Sequence, residues 1–226
     1  MNAALAEPLT LAIDDRLKNK QSFSTGAQPT VLSDIYKDDI NIAIWQRSFG
    51  KDLTDAVSQF LINNRSFEKA LSLSPDNAFT KIESATDGSA PKALIENIAE
   101  LVDMFCYLFE LKEAGVRLAT LNNAMCPRFH VDHVPCRLVT TYHGSATQWI
   151  ENHKVNRSKL GHGSLGQADA ISGLYPQESD IQQLTCGDVA LLKGERWSGN
   201  ENLGLVHRSP SDLSGETRLL LTLDFG

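Results

Sequence analysis

The sequence has little cysteine: four residues in 226, at positions 106, 126, 136 and 186, with no Cys-x-x-Cys pair. A disulfide framework is therefore not expected, and the reading is a reduced, cytoplasmic protein. Cations are also scarce. Lys and Arg total 21 against 28 Asp and Glu, a net charge of −7. Broad contact with a phosphate backbone needs clustered cations, so nucleic acid is not an expected partner. Long hydrophobic runs are missing, and Arg218-Leu-Leu-Leu-Thr-Leu223 is far too short for a membrane span. The N-terminus lacks a basic n-region, and Pro8, Asp14 and Asp15 interrupt its apolar stretch, so no secretory signal is expected. There is no Gly-x-Ser-x-Gly elbow. The Gly161-His-Gly-Ser-Leu-Gly166 stretch lacks the lysine of a phosphate loop.

What is present is an ordinary globular composition, 42% hydrophobic and 22% charged. Residues 1–30 are polar and aperiodic towards their end and read as a weakly ordered arm. Residues 31–226 read as one domain. Its first part, 31–115, is mainly helical support. A strand is expected around Asn41–Arg47, with Ile40, Ile42 and Ile44 on one face. A helix follows over 52–64, where Leu53, Ala56, Val57, Phe60 and Leu61 make an apolar stripe. Phe67–Leu73 reads as a short strand. The longest helical pattern covers 91–113, from Pro91 through Leu94, Ile98, Leu101, Val102 and Phe105 to a stop at Gly115.

After Gly115 the chain changes character. Short β-branched or alternating runs begin at Val116, Arg137, Ala190, Gly204 and Arg218, separated by Gly, Pro, Asn and Ser clusters. Such a series predicts a barrel or jelly roll over 116–226. Residues 151–181 are polar and glycine-rich, and read as a long insertion or mobile loop.

All six histidines lie after residue 129. The densest stretch is Cys126-Pro-Arg-Phe-His-Val-Asp-His-Val-Pro-Cys136. In an extended segment residues two apart share a face, which places His130 beside Asp132. Together they can chelate one metal ion, with a third ligand from elsewhere. His207, at the end of an apolar strand, is the best candidate. Arg218 opens the closing apolar strand and alternates with Leu220, Thr222 and Asp224. A buried arginine demands an anionic partner, and its guanidinium can grip a carboxylate bidentately. The plain alternatives are a hydrogen-bonded His–Asp pair, and an Arg218 salt bridge to Asp188, Glu216 or Asp224.

His-x-Asp, a distant His and an Arg about ten residues on resemble the Fe(II)/2-oxoglutarate-dependent dioxygenases. Thr140-Thr-Tyr-His-Gly, Gly187-Asp-Val-Ala-Leu-Leu-Lys-Gly and Thr217-Arg-Leu-Leu-Leu-Thr-Leu-Asp-Phe resemble strands and turns of the same superfamily. The likeness covers about residues 116–226. The whole chain also resembles a bacterial family, domain of unknown function 1826, which adds no chemistry.

The superfamily resemblance implies an α+β fold: a double-stranded β-helix, or jelly roll, in the C-terminal half with the N-terminal helices packed on it. It implies that His130, Asp132 and His207 bind Fe(II) and are catalytic. Arg218 would hold the far carboxylate of the cosubstrate 2-oxoglutarate, helped by a hydroxyl from Tyr142, Thr140 or Thr222. The implied activity is a cupin-like dioxygenase or hydroxylase acting on a small molecule or a protein side chain. Two other readings use the same fold. One is a non-redox protein handling zinc or another divalent metal, with Cys126, His133 and Cys136 near the site. The other is a cupin-type enzyme that uses no 2-oxo acid. Trp149 and Trp197 flank the expected pocket. Arg208, beside His207, either contacts substrate or faces solvent.

Overall fold

The computed structural model describes residues 21–210 and 217–226. In chain order the elements are β1 (Ser22–Gly26), a 3-10 helix over Pro29–Tyr36, β2 (Ile40–Trp45), α1 (Lys51–Asn63), β3 (Glu68–Leu73), α2 (Ala78–Ala85) and α3 (Lys92–Leu108). The β-rich half follows with β4 (Ala114–Leu121), β5 (Cys136–His143), β6 (Gln148–Ile150), the helical turn α4 (Asp169–Ser172), β7 (Ile181–Gln183), β8 (Val189–Lys193), β9 (Val206–Arg208) and β10 (Arg218–Phe225).

These strands form two sheets. The larger has the order β1-β2-β8-β5-β10-β4-β3 and the smaller β7-β6-β9. His130 adds an isolated antiparallel bridge to His207 of β9. The chain from β4 onward therefore crosses repeatedly between sheets. β4, β5, β8 and β10 are central in the large one, and the His130 segment, β6, β7 and β9 make the small one. This is a double-stranded β-helix whose own strands pair antiparallel, with β2 and β3 extending the large sheet on either side and β1 added in parallel outside β2.

Three apolar clusters hold the layers together. Alternation along β10 sends Leu219, Leu221 and Leu223 to the helix side, where they meet Val57, Phe60, Leu94, Ile98, Leu101 and Phe105. The buried stripe of α3 recurs at helical spacing and lies flat on the sheet. Each fully buried large side chain there contributes on the order of 1.5–3 kcal/mol. Between the sheets lie Ile42, Ile44, Val139, Trp149, Ala190, Leu192 and Leu205. Outside the small sheet, Phe129, Ile150 and Val206 pack on Leu174 and Tyr175 of the insertion.

Four differences from the sequence-based expectations have local causes. Residues 1–20 of the expected arm lie outside the described residues, but Ser22–Gly26 is a strand, not an arm. It pairs in parallel with β2, and Ser24 donates to Asp34 at 2.6 Å. The long helix ends at Leu108, not at Gly115; Glu110 turns into the left-handed region (φ 53°) and Gly115 is already within β4. The short helix α2 was not expected. Residues 151–181 are built of 3-10 turns and α4, and they carry an apolar cluster of their own. Among the described residues, no helix is long and apolar enough to cross a membrane.

Candidate metal centre

His130 and Asp132 sit on the segment joining β4 to β5, and His207 sits in β9. The His130 and His207 backbones exchange N–H···O=C hydrogen bonds of 3.0 Å in both directions. Directly paired antiparallel residues project to one face, so the two imidazoles lie side by side with ring centroids 4.6 Å apart. Asp132 completes the group. Its Oδ1 is 3.8 Å from His130 Nε2 and its Oδ2 is 3.4 Å from His207 Nε2. One ligand atom from each residue lies within 4.8 Å of the others, and this is the only such group of three or more among the described residues.

Each ring is oriented by its other nitrogen. His130 Nδ1 lies 2.9 Å from the Arg128 carbonyl and His207 Nδ1 lies 3.1 Å from the Leu205 carbonyl. A carbonyl only accepts, so both Nδ1 atoms carry a proton, and the Nε2 atoms are the ones turned toward Asp132. Burial, with the neighbouring His207, lowers the pKa of His130 and keeps that ring neutral. Burial raises the Asp132 pKa, but the hydrogen bond and charge of His207, with Arg137 and His130, outweigh it and hold the carboxyl at about 2. Two imidazole Nε2 atoms and a carboxylate thus face one another, a set of groups that could hold one cation.

The same cleft is lined by Arg218, Thr147, Ser209 and Thr222. Arg218 is 1% exposed. Its Nη2 donates to Thr141 Oγ1 at 3.0 Å and Thr147 Oγ1 at 2.9 Å, and its Nη1 to Ser209 Oγ at 3.3 Å. Among the described residues its Nε has no partner. Of the carboxylates expected to neutralise it, Asp188 is taken by Thr185 and Asp224 by Arg137. Glu216 lies outside the described residues. Burial alone lowers the Arg218 pKa to about 10.

The helping hydroxyls differ from those expected. Tyr142 and Thr140 do not reach Arg218. Both lie on the helix-facing side of β5, where Tyr142 donates to Asn97 Oδ1 at 2.9 Å and stacks on Phe49. Thr140 is paired with Leu221, which belongs to the helix-side core. Thr141 is the inward residue, and it meets Arg218 with Thr147 and Ser209. Thr141 escaped sequence reading because Leu138 and Val139 are both apolar and leave the phase of β5 ambiguous; Thr147 and Ser209 adjoin the ends of other strands and reach Arg218 only through the fold.

The thiol-assisted zinc arrangement is not assembled. Cys136 is buried on the helix side, and His133 is largely exposed and bonded to Glu195 at 2.9 Å. Cys126 alone lines the cleft. Trp197 packs on Tyr36 and Phe109, and Trp149 lies in the inter-sheet core; neither lines the cleft. Arg208 lines the cleft as well, donates to Gln148 Oε1 at 2.8 Å and lies over the Phe129 ring.

Comparison with known proteins gives a family and a set of similar shapes. A family model described as "Protein of unknown function (DUF1826)" matches residues 26–224. No curated protein matches the chain. Among solved structures, a Pseudomonas putida prolyl-4-hydroxylase is 12% identical, with 87% of this chain and 96% of that one covered and a TM-score of 0.42. A dioxygenase for auxin oxidation from rice is 11% identical, covering 91% and 82%, with a TM-score of 0.48. Iron-bound HygX from Streptomyces hygroscopicus is 12% identical, covering 87% and 85%, with a TM-score of 0.48.

Proposed function

The chain belongs to the DUF1826 family, whose description assigns no chemistry, and from its own residues we propose that it is a mononuclear non-haem iron(II) oxygenase using 2-oxoglutarate. The observation that carries this reading is a pairing within one cleft. The cluster of His130, Asp132 and His207 suits a cation, and the buried guanidinium of Arg218, which no carboxylate of the described residues meets, suits an anion.

Both halves fit the groups proposed. Two imidazoles and one carboxylate are the donor set that suits iron(II) with open positions. A buried arginine framed by three hydroxyls, with no carboxylate partner among the described residues, suits the remote carboxylate of a dicarboxylic 2-oxo acid. When bound, the iron and the oxo acid supply the oxidation of a substrate C–H bond by dioxygen, with loss of carbon dioxide from the oxo acid. The chain's own residues do the rest. His130, Asp132 and His207 hold the ion. Arg218 with Thr141, Thr147 and Ser209 binds and orients the acid. Leu220 and Val139 line the cleft with apolar surface and limit water there. The substrate class stays broad: a small molecule or a protein side chain.

The test is an anaerobic titration of the iron(II)-loaded protein with 2-oxoglutarate, followed in the visible range. A charge-transfer band that saturates at one equivalent is expected. A protein that binds iron(II) but gives no band and no 2-oxoglutarate affinity would instead support the non-redox metal-binding reading.

A further inference from the structure

The segment that carries His130 and Asp132 is weakly secured by the sheet. Among the described residues its only sheet pairing is the isolated bridge to His207. Backbone N–H groups of Glu195 and Arg196 hold its far end at the Asp132 and Val134 carbonyls, and the Ser209 N–H holds its start at the Cys126 carbonyl, so it is the stretch around His130 that needs fixing from elsewhere. The insertion supplies that fixing through one carboxylate.

Asp169 opens α4, and its side chain is 9% exposed. Its Oδ2 accepts the backbone N–H of Phe129 at 2.9 Å and lies 3.4 Å from Arg208 Nη1. Phe129 immediately precedes His130, and Arg208 immediately follows His207. One oxygen thus ties together the neighbours of both imidazole-bearing residues. The Arg208 guanidinium lies 4.2 Å over the Phe129 ring, which stacks the two tethered residues on each other. The ring of Phe129 also meets Tyr175, edge to face at 5.8 Å. On the other side, Arg128 donates to the carbonyls of Gly166 and Gln167. The insertion therefore grips residues 128, 129 and 208 and presents no group of its own to the cleft lined by His130, His207 and Arg218.

We infer that Asp169 is a positioning residue for the metal centre, and that the 151–181 insertion acts as a brace behind the His130 and His207 strands. The inference rests on the metal reading above. The carboxylate fixes the separation of two backbones whose rings must converge on one ion. Outer partners of this kind set metal affinity without touching the metal, and their loss typically weakens binding 10–100-fold.

The experiment uses cobalt(II) as the probe, with three proteins: the native full chain, Asp169→Ala and Asp169→Asn. Affinity is read by competition with a chelator, geometry by the cobalt absorption spectrum, and fold by the melting temperature of the metal-free protein. Asp169→Ala is expected to weaken cobalt binding at least 10-fold and to shift the spectrum. Asp169→Asn keeps an oxygen acceptor for the Phe129 N–H and loses only the charge facing Arg208, so it should recover part of the affinity. It also serves if Asp169→Ala does not fold. Unchanged affinity and spectrum in Asp169→Asn and in any folded Asp169→Ala, whatever their melting temperatures, would reduce Asp169 to a structural residue and overturn the inference. A native chain that binds no cobalt would overturn the metal reading itself, and this inference with it.

Discussion

Arg137 Nη1 stands 2.9 Å from Asp132 Oδ2, while its Nε and Nη2 take both oxygens of Asp224 at 2.7 and 2.8 Å. Asp224 is on β10 and Arg137 on β5, so the large sheet presets the carboxylate of the small-sheet ligand. The shared Oδ2 also faces His207, which leaves Oδ1 turned toward His130. A ligand oriented this way loses little freedom when an ion arrives. Arg137→Ala should therefore weaken iron(II) or cobalt(II) binding about 10–100-fold while the chain stays folded. Chelator competition measures it, and equal affinities would show that Asp132 needs no such support.

Arg218 is expected to trade stability for binding. Among the described residues its charge is buried with hydroxyls and no carboxylate. Replacing buried ion pairs by apolar residues of similar volume is often neutral or stabilising by about 1–4 kcal/mol, and relief of the unpaired Arg218 charge is expected to exceed the cost of the hydroxyls it leaves. Arg218→Met should raise the melting temperature of the ligand-free protein and abolish 2-oxoglutarate binding, with iron(II) affinity little changed. A lower melting temperature, or equal loss of both ligands, contradicts this role.

Gly194 matters for a steric reason. A Cβ there would lie 2.0 Å from the Val134 carbonyl oxygen and 2.9 Å from that of Asp132. Those atoms belong to the loop that carries Asp132, and the Glu195 N–H donates to the Asp132 carbonyl at 3.0 Å. Gly194→Ala must push that loop away. It should cost about 1–3 kcal/mol of stability and weaken metal binding as well. Denaturant melts and metal titration read the two effects separately, and a variant with both unchanged would contradict the close approach.

Asp132 also gives a pH dependence in the metal-free protein. Its folded-state pKa, about 2, lies below the ordinary carboxylate value. The carboxylate therefore contributes stability that is present in full above about pH 4 and is lost as pH falls toward 2. Asp132→Asn should flatten that part of the stability curve. Melting curves across this range test it, and parallel curves for the two proteins would show that Asp132 does not carry the effect.

Much of the site was legible because strands convert spacing into direction. His130 and Asp132 are two apart, and Arg218 alternates with Leu220 and Thr222, so their faces followed from the sequence once the segments were read as extended. Thr141, Thr147, Ser209 and Arg137 were not legible as partners. Their relevance depends on which strands are neighbours, and on the register shift where β10 crosses β5 between Leu219 and Leu220. The strand β1 was missed because Ser22-Phe-Ser-Thr-Gly26 has no apolar period and is held by parallel pairing to β2, a tertiary interaction. Asp169 was missed for a similar reason: it lies in a polar stretch, and its partners, Phe129 and Arg208, are distant in the chain.

The most direct measurement is the metal content of the native chain and of His207→Ala after anaerobic loading with iron(II) and removal of excess metal. Circular dichroism confirms that both are folded. The account predicts one iron per native chain and almost none in the variant. Equal iron in the two proteins would contradict it.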